Sequence, residues 1–353
     1  MIQVHENPDI FLLHVPLPNN PLRNLNCYVI KDGGDALIID TGFNVPACKE
    51  ALLHELGELQ LDWDKTHLFL THFHSDHVGL APVLMKGKPG NIYMSKADHL
   101  HFIDYIGEKY AEHFDPIFKK EGFLQEHIDY LHSENVAVQF GPDEAFPAVH
   151  VADSDTIQVG KYNFQCIITP GHTPGHTCLY LPEQKLLFAA DHILFDITPN
   201  ITYWLDLENS LNAYLNSLVK IHNYDVEKIF VGHRNNNENM YQRVEQLLGH
   251  HYKRLNETLE LIDENPLAHA TKIASLMKWS MRGKHWDDFP VTQRWFAVGE
   301  TLSHLDYFVH SGHMERVDGE EFRGYRLLKD LATCKAELSG HFDDFKSRLS
   351  DRH

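Results

Sequence analysis

The segment Thr71-His72-Phe73-His74-Ser75-Asp76-His77-Val78-Gly79 constrains this chain more than any other. It sets three imidazoles and a carboxylate within six positions, directly after an apolar run that reads as a buried strand over His67–Leu70. The chain has 27 histidines, so a lone histidine carries no weight. Even at that composition, roughly one shuffled chain in a hundred would contain H-x-H-x-D-H. In an extended segment alternate side chains project to one side, so His72 and His74 can grip one cation together. The turn that follows lets Asp76 and His77 face a second cation.

Such a cluster needs further ligands from other strand ends, and three stretches supply them. Thr169-Pro170-Gly171-His172-Thr173-Pro174-Gly175-His176-Thr177 follows a predicted strand, with its glycines and prolines fixing a tight loop. Ala189-Ala190-Asp191-His192 and Val231-Gly232-His233-Arg234 each end another. Each puts an imidazole or carboxylate just past a strand's C-terminal edge, where layered α/β proteins build sites.

The remaining pattern fits such a framework. Ile10–Val15, Asn26–Ile30, Ala36–Ile39 and Ile92–Met94 read as strands, and Val45–Leu59 as a helix. Strand patterns return at Val149–Val151, Thr156–Val159, Asn163–Ile168, Cys178–Leu181, Lys185–Ala189 and Lys228–Val231. Leu207–His222 and about Asn239–Asp263 read as helices. Two strand-rich halves, each flanked by helices, predict an α/β four-layer αββα sandwich. Between them, about 95–136, aromatic residues such as Phe102, Phe114, Phe118 and Phe123 recur at helical spacing and mark a helical insertion. After Asn265-Pro266, helices over Leu267–Trp279 and Val291–Ser311 lead to the hairpin-like pair Met314–Asp318 and Phe322–Leu328, then to a last helix near Leu331–Leu349. That is a winged-helix outline. The expected domains are 1–250, catalytic, and 251–353, a helical winged-helix-like module.

His72, His74, Asp76, His77, His172, Asp191 and His233 match, in order and spacing, the seven metal ligands of the metallo-β-lactamase superfamily, and the site looks most like the glyoxalase II and ribonuclease Z type. Ile39-Asp40-Thr41-Gly42 also resembles a motif of that family. The resemblance covers about residues 10–250, and a group of these proteins carries a winged-helix tail. It implies that His72, His74 and His172 hold one metal, that Asp76, His77 and His233 hold a second, and that Asp191 bridges both. A metal-bridged hydroxide would then attack the substrate. Asp76 and Asp191 are the catalytic candidates. Asp40 is the expected partner of a ligand imidazole. The all-imidazole and carboxylate set suits two divalent ions, with zinc the default and iron or manganese compatible. Asp191 stands where one group of true β-lactamases uses a cysteine, which argues against antibiotic hydrolysis.

Phe195, Tyr203, Trp204 and Arg234 are candidate substrate contacts. His176 is read as loop packing, and His99, His101, His113, His127 and His132 as solvent-facing. The formal net charge of −19 argues against a general affinity for nucleic acid or anionic membranes. No run approaches the roughly 18–20 apolar residues of a membrane span, and five scattered cysteines read as reduced thiols in a cytoplasmic protein. The function expected is metal-dependent hydrolysis of a small acyl substrate, a thioester or lactone. The alternatives are an RNA or phosphodiester hydrolase, a mononuclear-iron sulfur dioxygenase and a non-catalytic metal-binding protein. The tail's positive charges are about matched by acids, so it is read as a packing module, a homodimer contact or part of the pocket.

Overall fold

The computed structural model describes residues 1–106, 109–134, 139–235, 239–279 and 285–349. The chain divides into two compact units, one comprising Met1–Gly107, Asn135–Pro199 and Asp225–Met240, the other Glu108–Glu134, Asn200–Tyr224 and Tyr241–His353.

The first unit is built on two sheets. In one, β1 (Ile2–His5), β2 (Asp9–Pro16), β3 (Asn24–Asp32), β4 (Asp35–Ile39), β5 (Thr66–Phe69), β6 (Ile92–Ser95) and β7 (Val149–Val151) lie side by side in chain order. The pairs up to β4 are antiparallel, and those from β4 to β7 are parallel. The other sheet has the order β12 (Lys228–Val231), β11 (Leu186–Ala190), β10 (Thr177–Leu181), β9 (Tyr162–Ile168), β8 (Thr156–Val159). Only its β11–β12 pair is parallel.

Strand alternation explains the core. Ile10 and Leu12 of β2, Leu37 and Ile39 of β4, and Tyr162, Phe164 and Cys166 of β9 point inward at every second position. At its centre the rings of Phe188 and Phe230 stack at 4.6 Å, and Tyr28 meets both edge-on. Burial of each such ring contributes about 1.5–3 kcal/mol. The helix α1 (Pro46–Glu58) packs on β2 and buries Cys48, Leu52 and Leu56, four residues apart on one face. The short helices α2 (Ser75–Val78) and α3 (Ala81–Met85) follow β5, and α4 (Lys96–Ile106) follows β6.

Strand direction places the site. In the first sheet, β4 and β5 run parallel. In the second, β9 and β11 are both antiparallel to β10, and β12 is parallel to β11, so all three end at one edge.

The second unit holds α5 (Lys109–Lys120), α6 (Gln125–Ser133), α7 (Ser210–His222), α8 (Met240–Glu264, from Tyr241 onward), α9 (Ala270–Leu276) and α10 (Val291–His310). It ends with the antiparallel pair β13 (Met314–Asp318) and β14 (Arg323–Leu327) and with α11 (Leu331–Ser347). Glu121, just past α5, is fully buried. Its carboxylate accepts from Tyr325 Oη at 2.8 Å and from the Ala270 amide at 3.2 Å, joining α5 to α9 and β14. No helix among the described residues is long and apolar enough to cross a membrane.

The expected strands form within a residue or two of their predicted ends. The strand β1 was not foreseen, because Ile2–His5 is an edge strand with no buried residue to mark it. The helix expected over Leu267–Trp279 is confined to Ala270–Leu276, since Leu267 takes a left-handed conformation and Met277 an extended one. The expected helical insertion forms α4, α5 and α6; its residues 107–108 and 135–136 lie outside the described residues. His99 and His101 are buried, contrary to the solvent-facing reading. His99 hydrogen-bonds the Phe146 carbonyl at 2.8 Å and His150 at 2.9 Å, while His101 packs against Phe73.

Candidate metal centre

Beyond β5 the chain leaves its sheet extended and turns into α2 at Ser75. Alternation puts the rings of His72 and His74 on the same side, with His72 Nε2 3.0 Å from His74 Nδ1. His172, in the loop after β9, brings its Nε2 to 3.1 Å from the same His74 nitrogen. The α2 turn carries Asp76 and His77. His77 Nε2 lies 3.3 Å from His233 Nε2, and Asp76 Oδ2 also lies 3.3 Å from His233 Nε2. Asp191, the first residue past β11, reaches both groups: its Oδ2 is 3.4 Å from His233 Nε2 and 3.8 Å from His172 Nε2, and its Oδ1 is 3.7 Å from His77 Nε2. All seven expected ligands are thus brought together. They form three overlapping groups that could hold a metal ion: His72–His74–His172, His72–His77–Asp191 and Asp76–His77–His233.

Hydrogen bonds behind the rings set which nitrogen faces inward. The buried Asp40 accepts from His77 Nδ1 at 2.8 Å and from the Thr71 amide at 2.9 Å. The Thr71 hydroxyl donates to Asp40 at 2.8 Å, so its oxygen is left to accept from His72 Nδ1 at 3.0 Å. His233 Nδ1 donates to the Asn24 carbonyl at 2.9 Å. With Nδ1 donating in each ring, His72, His77 and His233 all turn Nε2 inward, free to bind a cation or, in its place, a proton.

That arrangement fits a cation. Two bare imidazole nitrogens 3.3 Å apart repel unless positive charge lies between them. Tetrahedral ligation at about 2.0–2.1 Å gives ligand–ligand edges of about 3.3 Å, close to the spacings found. The local field agrees. Burial disfavours the charged His233 ring, but Asp191 and Asp76 outweigh it and push its pKa up to about 10. Asp191 is held well below the usual carboxylate range; burial opposes this, but His233 and His77 prevail. For His72 and His74 the reverse holds. Burial, reinforced by His172, lowers His74 to about 3, and burial with the neighbouring rings drives His72 well down, leaving neutral donors.

Close approach dictates glycine at one position. A Cβ on Gly232 would fall 2.3 Å from Asp191 Oδ1. The residues flanking the ligands are also in unusual conformations: Asp40, Ala190 and Arg234 all have positive φ. For non-glycine residues this costs of order 1–3 kcal/mol each and clusters at functional sites.

The four expected substrate contacts are distributed differently. Phe195, buried, and Arg234, whose Nη2 donates to the Pro21 carbonyl at 3.1 Å, lie on the loops that carry Asp191 and His233. Tyr203 and Trp204 belong to the second unit, Trp204 buried and Tyr203 half-buried. His176 lies outside the three ligand groups; its Nδ1 bonds Thr169 Oγ1 at 2.8 Å, and its ring packs behind His72. Sequence reasoning missed Thr71, Asn26 and Asp98. Asn26 holds the loop of His233 through the Val231 and Arg234 carbonyls. Ser95-x-x-Asp98 at a helix start signals only a capping acid, and nothing in the sequence reveals where that carboxylate points.

Relatives share this framework. A "Beta-lactamase-like protein 2 homolog" of Caenorhabditis elegans is 26% identical over 255 residues, 70% of each chain. An "Atrochrysone carboxyl ACP thioesterase" of Aspergillus fumigatus is 24% identical over 238 residues, 67% of this chain and 59% of that one. The crystal structure of a metallo-beta-lactamase family protein from Thermus thermophilus superposes with a TM-score of 0.76 at 26% identity, covering 90% of this chain and 98% of the other. The family model described as the metallo-beta-lactamase superfamily matches residues 21–233, a span that opens before β3 and closes on His233. With its two-sheet fold and its histidines and aspartates gathered beyond the strand ends, the chain belongs to the metallo-beta-lactamase superfamily.

Proposed function

We propose that the chain is a two-cation hydrolase acting on a small acyl substrate of thioester or lactone type. In this reading His72, His74 and His172 hold one cation, Asp76, His77 and His233 hold the other, and Asp191 is shared. Zinc is the default, and the imidazole and carboxylate set without thiolate is also compatible with iron or manganese. When bound, the cations supply Lewis acidity and a hydroxide nucleophile at neutral pH. Asp76 stays ionised for this work. Burial opposes its ionisation, but His77 and His233 lower its pKa to about 2. It therefore accepts a proton-bearing partner at any physiological pH and orients the attacking water. Asp40 keeps the His77 and His72 rings in the tautomers the site needs. Phe195 and Arg234, on the ligand-bearing loops, are assigned to the substrate side.

The observation that carries this reading is the reach of Asp191 to His77, His172 and His233 at once. A carboxylate so placed serves both groups, and a single-cation site has no use for the second. The acyl class is supported by the fungal relatives named as thioesterases and by the acidic charge, which opposes a polyanionic substrate. The test is metal analysis of protein purified without added metal, followed by turnover of a panel of thioesters, lactones, phosphodiesters and β-lactams. Two equivalents of metal and preferential thioester or lactone cleavage are expected. One equivalent of iron, or preference for phosphodiesters, would overturn the proposal.

A further inference from the structure

Two buried carboxylates, Asp40 and Asp98, brace the centre. Asp40 bonds His77 directly and His72 through Thr71. Asp98, in the first turn of α4, touches none of the seven ligands, yet it is fully buried. Its Oδ2 accepts from the Phe73 amide at 3.2 Å and from Thr173 Oγ1 at 2.6 Å, and its Oδ1 accepts from the Gly175 amide. Phe73 stands between His72 and His74, and Thr173 follows His172. The loop is shaped to receive this carboxylate: a Cβ on Gly175 would fall 2.0 Å from Ser95 Oγ and 2.9 Å from Asp98 Oδ1. Burying a carboxylate is costly unless it is well hydrogen-bonded, and here every one of these bonds goes to the two loops that carry three of the histidines.

We propose that Asp98 is a positioning residue for the three-histidine half of the centre, clamping the loop of His72 and His74 to the loop of His172 so that the three rings meet one cation ready-placed. The inference rests on the metal-centre reading and adds to it that the three-histidine half has, besides the Asp40 it shares with the other half, a buttress of its own. Asp98→Asn keeps the size and weakens the clamp, since one of its amide-accepting oxygens becomes a donor. With its oxygen toward Phe73 and Thr173, the amide nitrogen faces the Gly175 N–H, donor against donor; the flipped amide sets its nitrogen against the Phe73 N–H instead.

The experiment titrates the metal-free full-length chain with zinc against a chromophoric chelator, alongside thermal unfolding of the same metal-free protein. In Asp98→Asn, one zinc equivalent is expected to weaken about 10–100-fold, as for loss of other partners behind metal ligands. The second should stay within about threefold of wild type. Thr173→Val, which deletes only the hydroxyl bond, weakens the same equivalent by a smaller factor and decides the matter if Asp98→Asn does not fold. Two equivalents weakened alike with a lowered unfolding temperature would reduce Asp98 to a general structural role and overturn the proposal, as would unchanged affinity for both. Wild-type protein that takes up no zinc would instead sink the metal-centre reading, and this inference with it.

Discussion

Each unit of the molecule buries a set of histidines, and the two sets have opposite character. In the second unit, His304 Nδ1 donates to the Glu300 carbonyl at 2.7 Å, so its Nε2 can only accept, from His251 Nδ1 at 3.4 Å. The nearby Glu300 carboxylate is taken by Arg254 at 3.5 Å and Asn200 at 3.3 Å. Burial, reinforced by Arg254, lowers His304 to about 3, and burial with His304 drives His251 far down as well. The result is a neutral pair with one lone pair turned into the core. In the first unit, Asp76 and Asp191 enter among the rings, and the site demands positive charge. Burial alone does not make histidines into a centre; converging carboxylates do.

The sharpest way to break that contrast is to remove the shared carboxylate. Asp191→Ala should reduce turnover by about a thousandfold or more and release metal, while His304→Phe should leave turnover within about threefold. Turnover and bound metal, measured together, check both. Retained activity in Asp191→Ala would show that the two groups of histidines do not act as one site. Gly232→Ala should come next. Its Cβ has no room beside Asp191 Oδ1, so the carboxylate must move, and a displacement of about 1 Å can cost about a hundredfold in rate. The substitution removes no proposed ligand from the chain, which makes kcat at saturating metal the deciding measurement.

How far this contrast could be read beforehand depends on spacing. The proposed ligands could be picked out because they sit just past strands whose apolar runs are themselves plain: His72 and His74 after β5, His172 after β9, Asp191 after β11, His233 after β12. His251 and His304 follow no such rule and look like any other helical histidines. Asp98 was illegible for a different reason. Its local role as a capping acid is written in Ser95 three residues before, but its partners are 25 to 77 residues away. The buried pair His99 and His101 was misjudged likewise, since the face of α4 that turns inward is decided by packing against Phe146 and Phe73.

Metal loading should divide the two clusters again, by a smaller amount. A ligand that binds only the folded state stabilises it by about 2.7 kcal/mol at a hundred times its dissociation constant. Zinc should therefore raise the unfolding free energy of the wild type by that order and give Asp191→Ala much less, while His304→Phe retains the full increment. An equal increment in Asp191→Ala would place the binding elsewhere in the chain.

The last expected effect is that of acid on the neutral pair. His304 titrates near 3 in the folded chain and near 6.5 when unfolded. Between those values the unfolded state holds the extra proton, so stability falls as pH falls. The contribution is complete above about pH 6.5 and is lost toward pH 3, at up to about 1.4 kcal/mol per pH unit. Many carboxylates titrate in the same window, so the difference between wild type and His304→Phe is the quantity to measure, from urea unfolding of metal-free protein at several pH values. The variant cannot take up that proton when unfolded, and its stability should fall less steeply with acid. A steeper fall would mean that His304 is protonated in the folded chain, and the second cluster would then resemble the first after all.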